Sequence, residues 1–270
     1  MASFAALPAE LVRDILGYLP VSSLHAFGLT SKQHHALQAS SLSILHIGVF
    51  HSRISGMMSA LDAPADTAGT HRVQVVLPRS DSRNLQVIVR NQNAIISDVV
   101  DKHKHVLREL EVALWDLQER TTKSIAQIKN LKHLSIRLDH SHTRHPQLDR
   151  NFWDSSPGST VWNFLCAKHN KKGALGRLRS LNLERAGITD YQLQQILESN
   201  LGILTLRLQR CLNITKELFE YLAQSRVGSR LRTFHFTKSK NESINDDVLK
   251  YIAKLPNLKV MDACYSGVKC

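Results

Sequence analysis

The stretch LRSLNLERAGITDYQLQQILESN, residues 178–200, decides the fold. It opens on L-x-x-L-x-L, with Leu178, Leu181 and Leu183. The last two alternate as they do in a short strand with one face turned inward. Ala186, Ile188, Thr189 and Asp190 follow, and Thr189 with Gln192 makes a capping box that starts a helix. That helix turns Leu193, Ile196 and Leu197 to one side. The same frame returns as Ile203, Leu206 and Leu208, then Cys211, Ile214 and Thr215, before TKELFEYLAQS, which buries Leu218, Phe219 and Leu222. It returns again as Leu231, Phe234 and Phe236, with Ile244 and Asn245 later, before NDDVLKYIAKL, expected to bury Leu249 and Ile252. A weaker copy holds Leu258, Met261 and Ala263, and the starts lie about 25 to 28 residues apart. Upstream, Leu131, Leu134 and Ile136, and before them Leu107, Leu110 and Val112, fit the frame. One strand and one helix cannot bury such faces alone, so neighbours must stack into an α/β repeat. A doubly wound α/β sheet is the structural alternative. Irregular copies and short strands without glycine fingerprints argue against it.

The beginning of the chain reads differently. LPAELVRDILGYLPVSSLHAFGLTSKQHHALQASSL, residues 7–42, is a set of short helices. Pro8 suits a first helical position, where its missing N–H costs nothing. Leu11, Ile15 and Leu19 recur at i, i+4, i+8, and Val12 and Leu16 widen the stripe. Pro20 ends that helix. Ser22 or Ser23 can cap the next, which carries Leu24 and Phe27, and Thr30 or Ser31 can cap a third. A unit of about forty residues rarely folds on its own core. Its surplus apolar face needs a partner, either the rest of the chain or another protein.

In these residues the chain resembles an F-box. The family pattern is met by Leu7, Pro8, Glu10 and Leu11, by Ile15, Leu16, Tyr18, Leu19 and Pro20, by Leu24, and by Ser31 and Lys32. Gly17 inside the first helix and His34 after the Ser-Lys pair depart from it. The repeats resemble the leucine-rich repeats of F-box proteins, the cysteine-containing type, and the copy with Cys211 matches best. Together they resemble a fungal-like F-box/leucine-rich-repeat substrate receptor. The resemblance implies a three-helix F-box followed by a short, irregular solenoid, strands on its concave face and helices on its convex face. Residues 1–45 would be the F-box, 46–105 an irregular linker or degenerate repeats, and 106–270 the repeats, with an insertion at about 139–174. It also implies the substrate-recognition subunit of an SCF, a cullin-type ubiquitin ligase. The F-box would dock a Skp-family adaptor, and through it a cullin, with Leu7, Pro8, Leu11, Ile15, Leu16, Leu19, Pro20 and Leu24. The repeats would hold a protein substrate. A non-catalytic leucine-rich-repeat scaffold or adaptor outside a ligase, or a basic nucleic-acid-binding protein, is the alternative function.

In a strand of this frame, the residue between the last two apolar positions and the one after them point away from the core. Those places hold Ser135 and Arg137, Asn182 and Glu184, Arg207 and Gln209, and His235 and Thr237. They are expected to line up across adjacent strands as the substrate-binding set. The set is polar and more basic than acidic, with Arg137 and Arg207 as anion anchors, which points to an acidic or phosphorylated segment. The competing expectation is that the insertion near His140 does the binding.

Composition narrows the classes. The 270 residues are 43% hydrophobic and 21% charged, as in a folded protein, with a net charge of +12. A positive field favours acidic partners, nucleic acid included. Yet the basic residues are scattered, dense only in AKHNKKGALGRLR at 167–179, and aromatics do not interleave with them, so nucleic-acid binding is not expected. No run of apolar residues is long enough for a membrane span. The N-terminus lacks a basic segment before an apolar core, so a signal peptide is not expected. Cys166, Cys211, Cys264 and Cys270 form no C-x-x-C, which fits reduced thiols in cytoplasm or nucleus. Cys211 is expected as a small buried hydrophobe. Phosphate-cradling loops, nucleophile elbows and H-E-x-x-H are missing, and no enzyme, cofactor or metal is expected. His140, His142 and His145 lack the spacing of a metal site. Between the helices and the array, LSILHIGVF and HRVQVVLP read as strands and ISGMMSALDA as a helix. STVWNFLCAKHNKKG reads as a helix capped by Ser159 and ended by Gly173.

Overall fold

Each alternating segment of the sequence becomes a strand, and the strands lie side by side. The computed structural model describes residues 7–19, 21–51, 70–77, 85–138, 158–166, 175–237 and 246–262. Three helices come first: α1 (Ala9–Gly17), α2 (Val21–Leu29) and α3 (Lys32–Ser41). Then follow β1 (Ile44–His51), β2 (Thr70–Leu77), α4 (Leu85–His103), β3 (Glu109–Leu114), α5 (Glu119–Ala126) and β4 (His133–Leu138). A 3-10 turn (Thr160–Leu165) leads to β5 (Ser180–Glu184), α6 (Asp190–Ser199), β6 (Thr205–Gln209) and α7 (Lys216–Gln224). A second short 3-10 turn (Gly228–Arg230), β7 (Thr233–Thr237), α8 (Asp246–Ile252) and β8 (Val260–Asp262) complete the described chain.

The protein is α/β. Among the described residues its eight strands form one sheet in the order β2-β1-β3-β4-β5-β6-β7-β8, parallel throughout. From β3 onward each strand is added beside its predecessor. Parallel crossovers are right-handed, so one-way addition puts every connecting helix on the same face. Burial agrees. Leu181 and Leu183, Leu206 and Leu208, Phe234 and Phe236 are buried, while Ser180, Asn182, Glu184, Arg207, Gln209, His235 and Thr237 are not. A doubly wound sheet buries both faces; among the described residues, the second face of β5 to β7 carries these polar, unburied positions, which fits a repeat array.

One core runs the length of the described chain, from Val12, Leu16 and Leu24 through Leu45 and Ile47 to Leu206, Phe234 and Leu255. The capping box at Thr189 and Gln192 is present, and Leu193, Ile196, Leu197, Leu218, Phe219 and Leu222 are buried as expected. The strands expected at LSILHIGVF and HRVQVVLP are present as β1 and β2. Other expectations change. Residues 46–105 also hold α4, and β1 is an interior strand of the sheet. Helix α4 escapes sequence reading because Gln92, Asn93 and Ser97 point inward with Ile96 and Val100 and interrupt its apolar period. Val248 is buried in place of Leu249, which is exposed: the inward pair is Val248 and Ile252, and one residue is about 100° of helix. Thr160–Leu165 is a 3-10 turn capped by Ser159, whose hydroxyl accepts from the Val161 N–H, where the sequence predicts a longer helix. Trp162 there is fully buried, and Gln192 Nε2 donates to Ser159 O and Asn163 Oδ1. Part of the expected insertion therefore occupies the helical slot of the β4–β5 crossover. The helix expected at ISGMMSALDA, the end at Gly173, and Ala263 lie outside the described residues.

Candidate functional site

Two surfaces stand out, one on α1 and one on the open face of the sheet. Helix α1 carries two apolar stripes. Val12 and Leu16 face the core, and Leu24 of α2 joins them, all at most 3% exposed. Leu7, just before α1, and Leu11 and Ile15 on it face outward at 38%, 50% and 44% exposure, beside Tyr18. Pro8 is exposed and its carbonyl accepts from the Val12 N–H. Leu19 packs partly against the core, and Pro20 is outside the described residues. Of the expected adaptor set, Leu7, Pro8, Leu11 and Ile15 are on the surface. Leu16 and Leu24 are a correction: they fill the chain's own core and cannot meet a partner. Spacing alone does not tell the stripes apart, because they lie one residue apart on the helix. Ser31 caps α3 by accepting from the His34 N–H. The His34 ring stacks on Phe27 at 4.3 Å, so an aromatic-like contact survives at that departure from the pattern.

On the sheet, Ser135, Asn182, Arg207 and His235 are register partners across β4 to β7, and Arg137, Glu184, Gln209 and Thr237 form the next row. The expected alignment is thus present. Asn182 Nδ2 donates to Ser135 Oγ at 3.0 Å. Arg137 departs from its expected role. Its Nε lies 3.3 Å from Glu184 Oε2, and Arg185 Nε lies 3.9 Å from Glu184 Oε1. Glu184 stands in the same row on the next strand and neutralises it. Arg207 is exposed and has no carboxylate partner among the described residues.

Sequence reasoning missed the acidic part of this face. Glu111 is in register with Ser135, Glu109 with His133, and His46 of β1 with Glu111. His46 Nε2 lies 3.1 Å from Glu109 Oε1, and its Nδ1 lies 3.4 Å from Glu111 Oε2. The hydrogen bond from His46 holds the Glu109 carboxyl below the usual carboxylate range, against the opposing pull of burial. The signal was available: the Leu107, Leu110, Val112 frame puts Glu111 where Ser135 sits in the next copy. A groove of about 350 Å³ spans β3 to β6 between these carboxylates and Arg207.

The strand ends repeat one device. Arg185 and Arg210 follow β5 and β6 with φ of 56° and 55°. Their N–H groups donate to Gln209 O at 2.7 Å and Thr237 O at 2.6 Å, carrying the ladder past the strands. Cys211 comes next, fully buried, with its thiol donating to Leu183 O at 3.4 Å. Burial pushes that thiol up to about 12, so it is inert, as expected of a packing residue. Among the described residues no three His, Cys, Asp or Glu side chains converge as metal ligands, and no helix is long and apolar enough to cross a membrane. His140, His142 and His145 lie outside the described residues. Compared with protein-family models and with curated proteins, the chain finds no match.

Proposed function

We propose that the chain is an F-box protein with leucine-rich repeats, the substrate-recognition subunit of a cullin-type ubiquitin ligase acting in the cytoplasm or nucleus. The observation that carries this reading is the doubly apolar α1. Its inner stripe is used by the chain's own core, and its outer stripe at Leu7, Leu11 and Ile15 is left for a partner. The one-way strand–helix array, open on its strand face, is the second support. Such a subunit performs no chemistry. It raises the effective concentration of a substrate's lysines near a ubiquitin-loaded enzyme. Leu11→Asp with Ile15→Asp tests it. The full chain should co-purify with a Skp-family adaptor and a cullin, and the double variant should lose both while keeping its melting temperature. Undiminished adaptor capture by the variant would overturn the reading. Capture of the adaptor without a cullin would move the chain to the scaffold class.

A further inference from the structure

The groove over β3 to β6 carries carboxylates at one end, with His133 beside Glu109, and a guanidinium at the other. Glu109 and Glu111 stand at one end, drawn together by His46. Each has one carboxylate oxygen in that contact, and the other oxygens have no partner among the described residues. Arg207 stands at the other end, exposed and unpaired among the described residues. Between them lie Ser135 and Asn182. The Asn182 amide spends its N–H on Ser135, and its Oδ1 is buried without a hydrogen-bond partner among the described residues.

We propose that this groove binds an extended peptide segment across the strands, a basic side chain at Glu109 and Glu111 and an acidic one at Arg207. The proposal rests on the substrate-receptor reading above and narrows its substrate class. Glu111, Ser135, Asn182 and Arg207 are successive register partners, three strand steps from end to end. Strands lie about 4.8 Å apart, so the charged ends are about 14 Å apart, and an extended peptide covers that in about four residues. The recognised pattern is therefore a Lys or Arg and an Asp, Glu or phosphorylated residue about four positions apart. A segment with acidic residues alone meets Glu109 and Glu111 as like charges. A purely basic one meets Arg207. The requirement for both signs separates this inference from a general attraction of acidic partners to a chain of net charge +12.

The test is selection from a display library of random peptides on the full chain, with an unrelated protein as the background. Enriched peptides should carry the mixed pair at that spacing. Arg207→Glu should lose the preference for the acidic member, and Glu109→Gln with Glu111→Gln the preference for the basic one. A selected peptide made synthetically should bind each variant about tenfold more weakly or worse. Circular dichroism of the variants checks the fold; Arg207, exposed and unpaired among the described residues, can change without disturbing the core. Peptides lacking the mixed pair, a pattern unchanged in both variants, or no enrichment over background would each overturn the proposal. Adaptor co-purification is read on the same preparations. A chain that captures the adaptor but selects no such peptide loses only the groove proposal, and one that selects the peptide but captures no adaptor loses only the ligase reading.

Discussion

His46 meets a carboxylate on each side of its ring. An imidazolium satisfies both at once, since each nitrogen carries a proton, whereas the neutral ring donates to one. Glu109 is depressed foremost by that hydrogen bond. A carboxyl whose folded value is depressed stabilises the fold above its unfolded value, and that contribution fades as pH falls through the folded value. Replacing His46 with Ala should raise the Glu109 midpoint toward the usual carboxylate range, read from its side-chain carboxyl carbon by NMR. An unmoved midpoint would mean that His46 is not the cause. Cys211 gives a second check at this scale. Its thiol is fully buried and raised to about 12, so alkylation at neutral pH should spare it in the native chain and reach it in denaturant, as resolved by peptide mass spectrometry.

Among the elements, α4 shows where reading a sequence stops. The repeat frame and the capping box were legible because Leu181, Leu183, Leu193, Ile196 and Leu197 keep an unbroken apolar period on their inner faces, and the buried polar residues Asp190 and Gln192 sit in the first turn of α6, where a cap is expected. Helix α4 spends inward positions on amides. Asn93 Nδ2 donates to Val89 O and Asp116 O, its Oδ1 accepts from the Gln118 N–H at 2.9 Å and from Thr121 Oγ1 at 2.7 Å, and Gln92 Oε1 accepts from the Trp115 N–H. Those amides replace a helix pattern with a bonding pattern, and, Val89 apart, the backbone they satisfy lies 23 to 25 residues away in sequence. The candidate site splits in the same way. Its rows followed from period two, but the ion pair of Arg137 with Glu184 depends on register between strands, and the buried state of Leu16 depends on what α1 packs against. Asn93→Leu should cost about 2–4 kcal/mol in urea unfolding, since it strands several buried groups at once. A loss well below 1 kcal/mol would show that water replaces the amide.

At the scale of the molecule, each strand after β3 leans on its neighbours, and stability should follow position in the array. Leu206 has units on both sides and is fully buried, whereas Val260 of β8 is 48% exposed and Met261 is 37% exposed. Leu206→Ala is expected to cost about 2–5 kcal/mol. Val260→Ala is expected to cost under about 1 kcal/mol. Hydrogen exchange should show protection declining from β6 to β8 when the chain is alone, because opening begins where fewest contacts hold. Uniform protection through β8 would mean that something covers that strand. The shared core has a consequence of another kind. Val12, Leu16 and Leu24 are packed into the same interior as Leu45 and Ile47. Under the proposed reading, a hand that grips the outside of α1 would hold an arm joined to the sheet through packed side chains and not through a free wrist. Cargo on the strand face would then be carried at a set bearing and reach, and geometry would choose which of its positions arrive within striking distance.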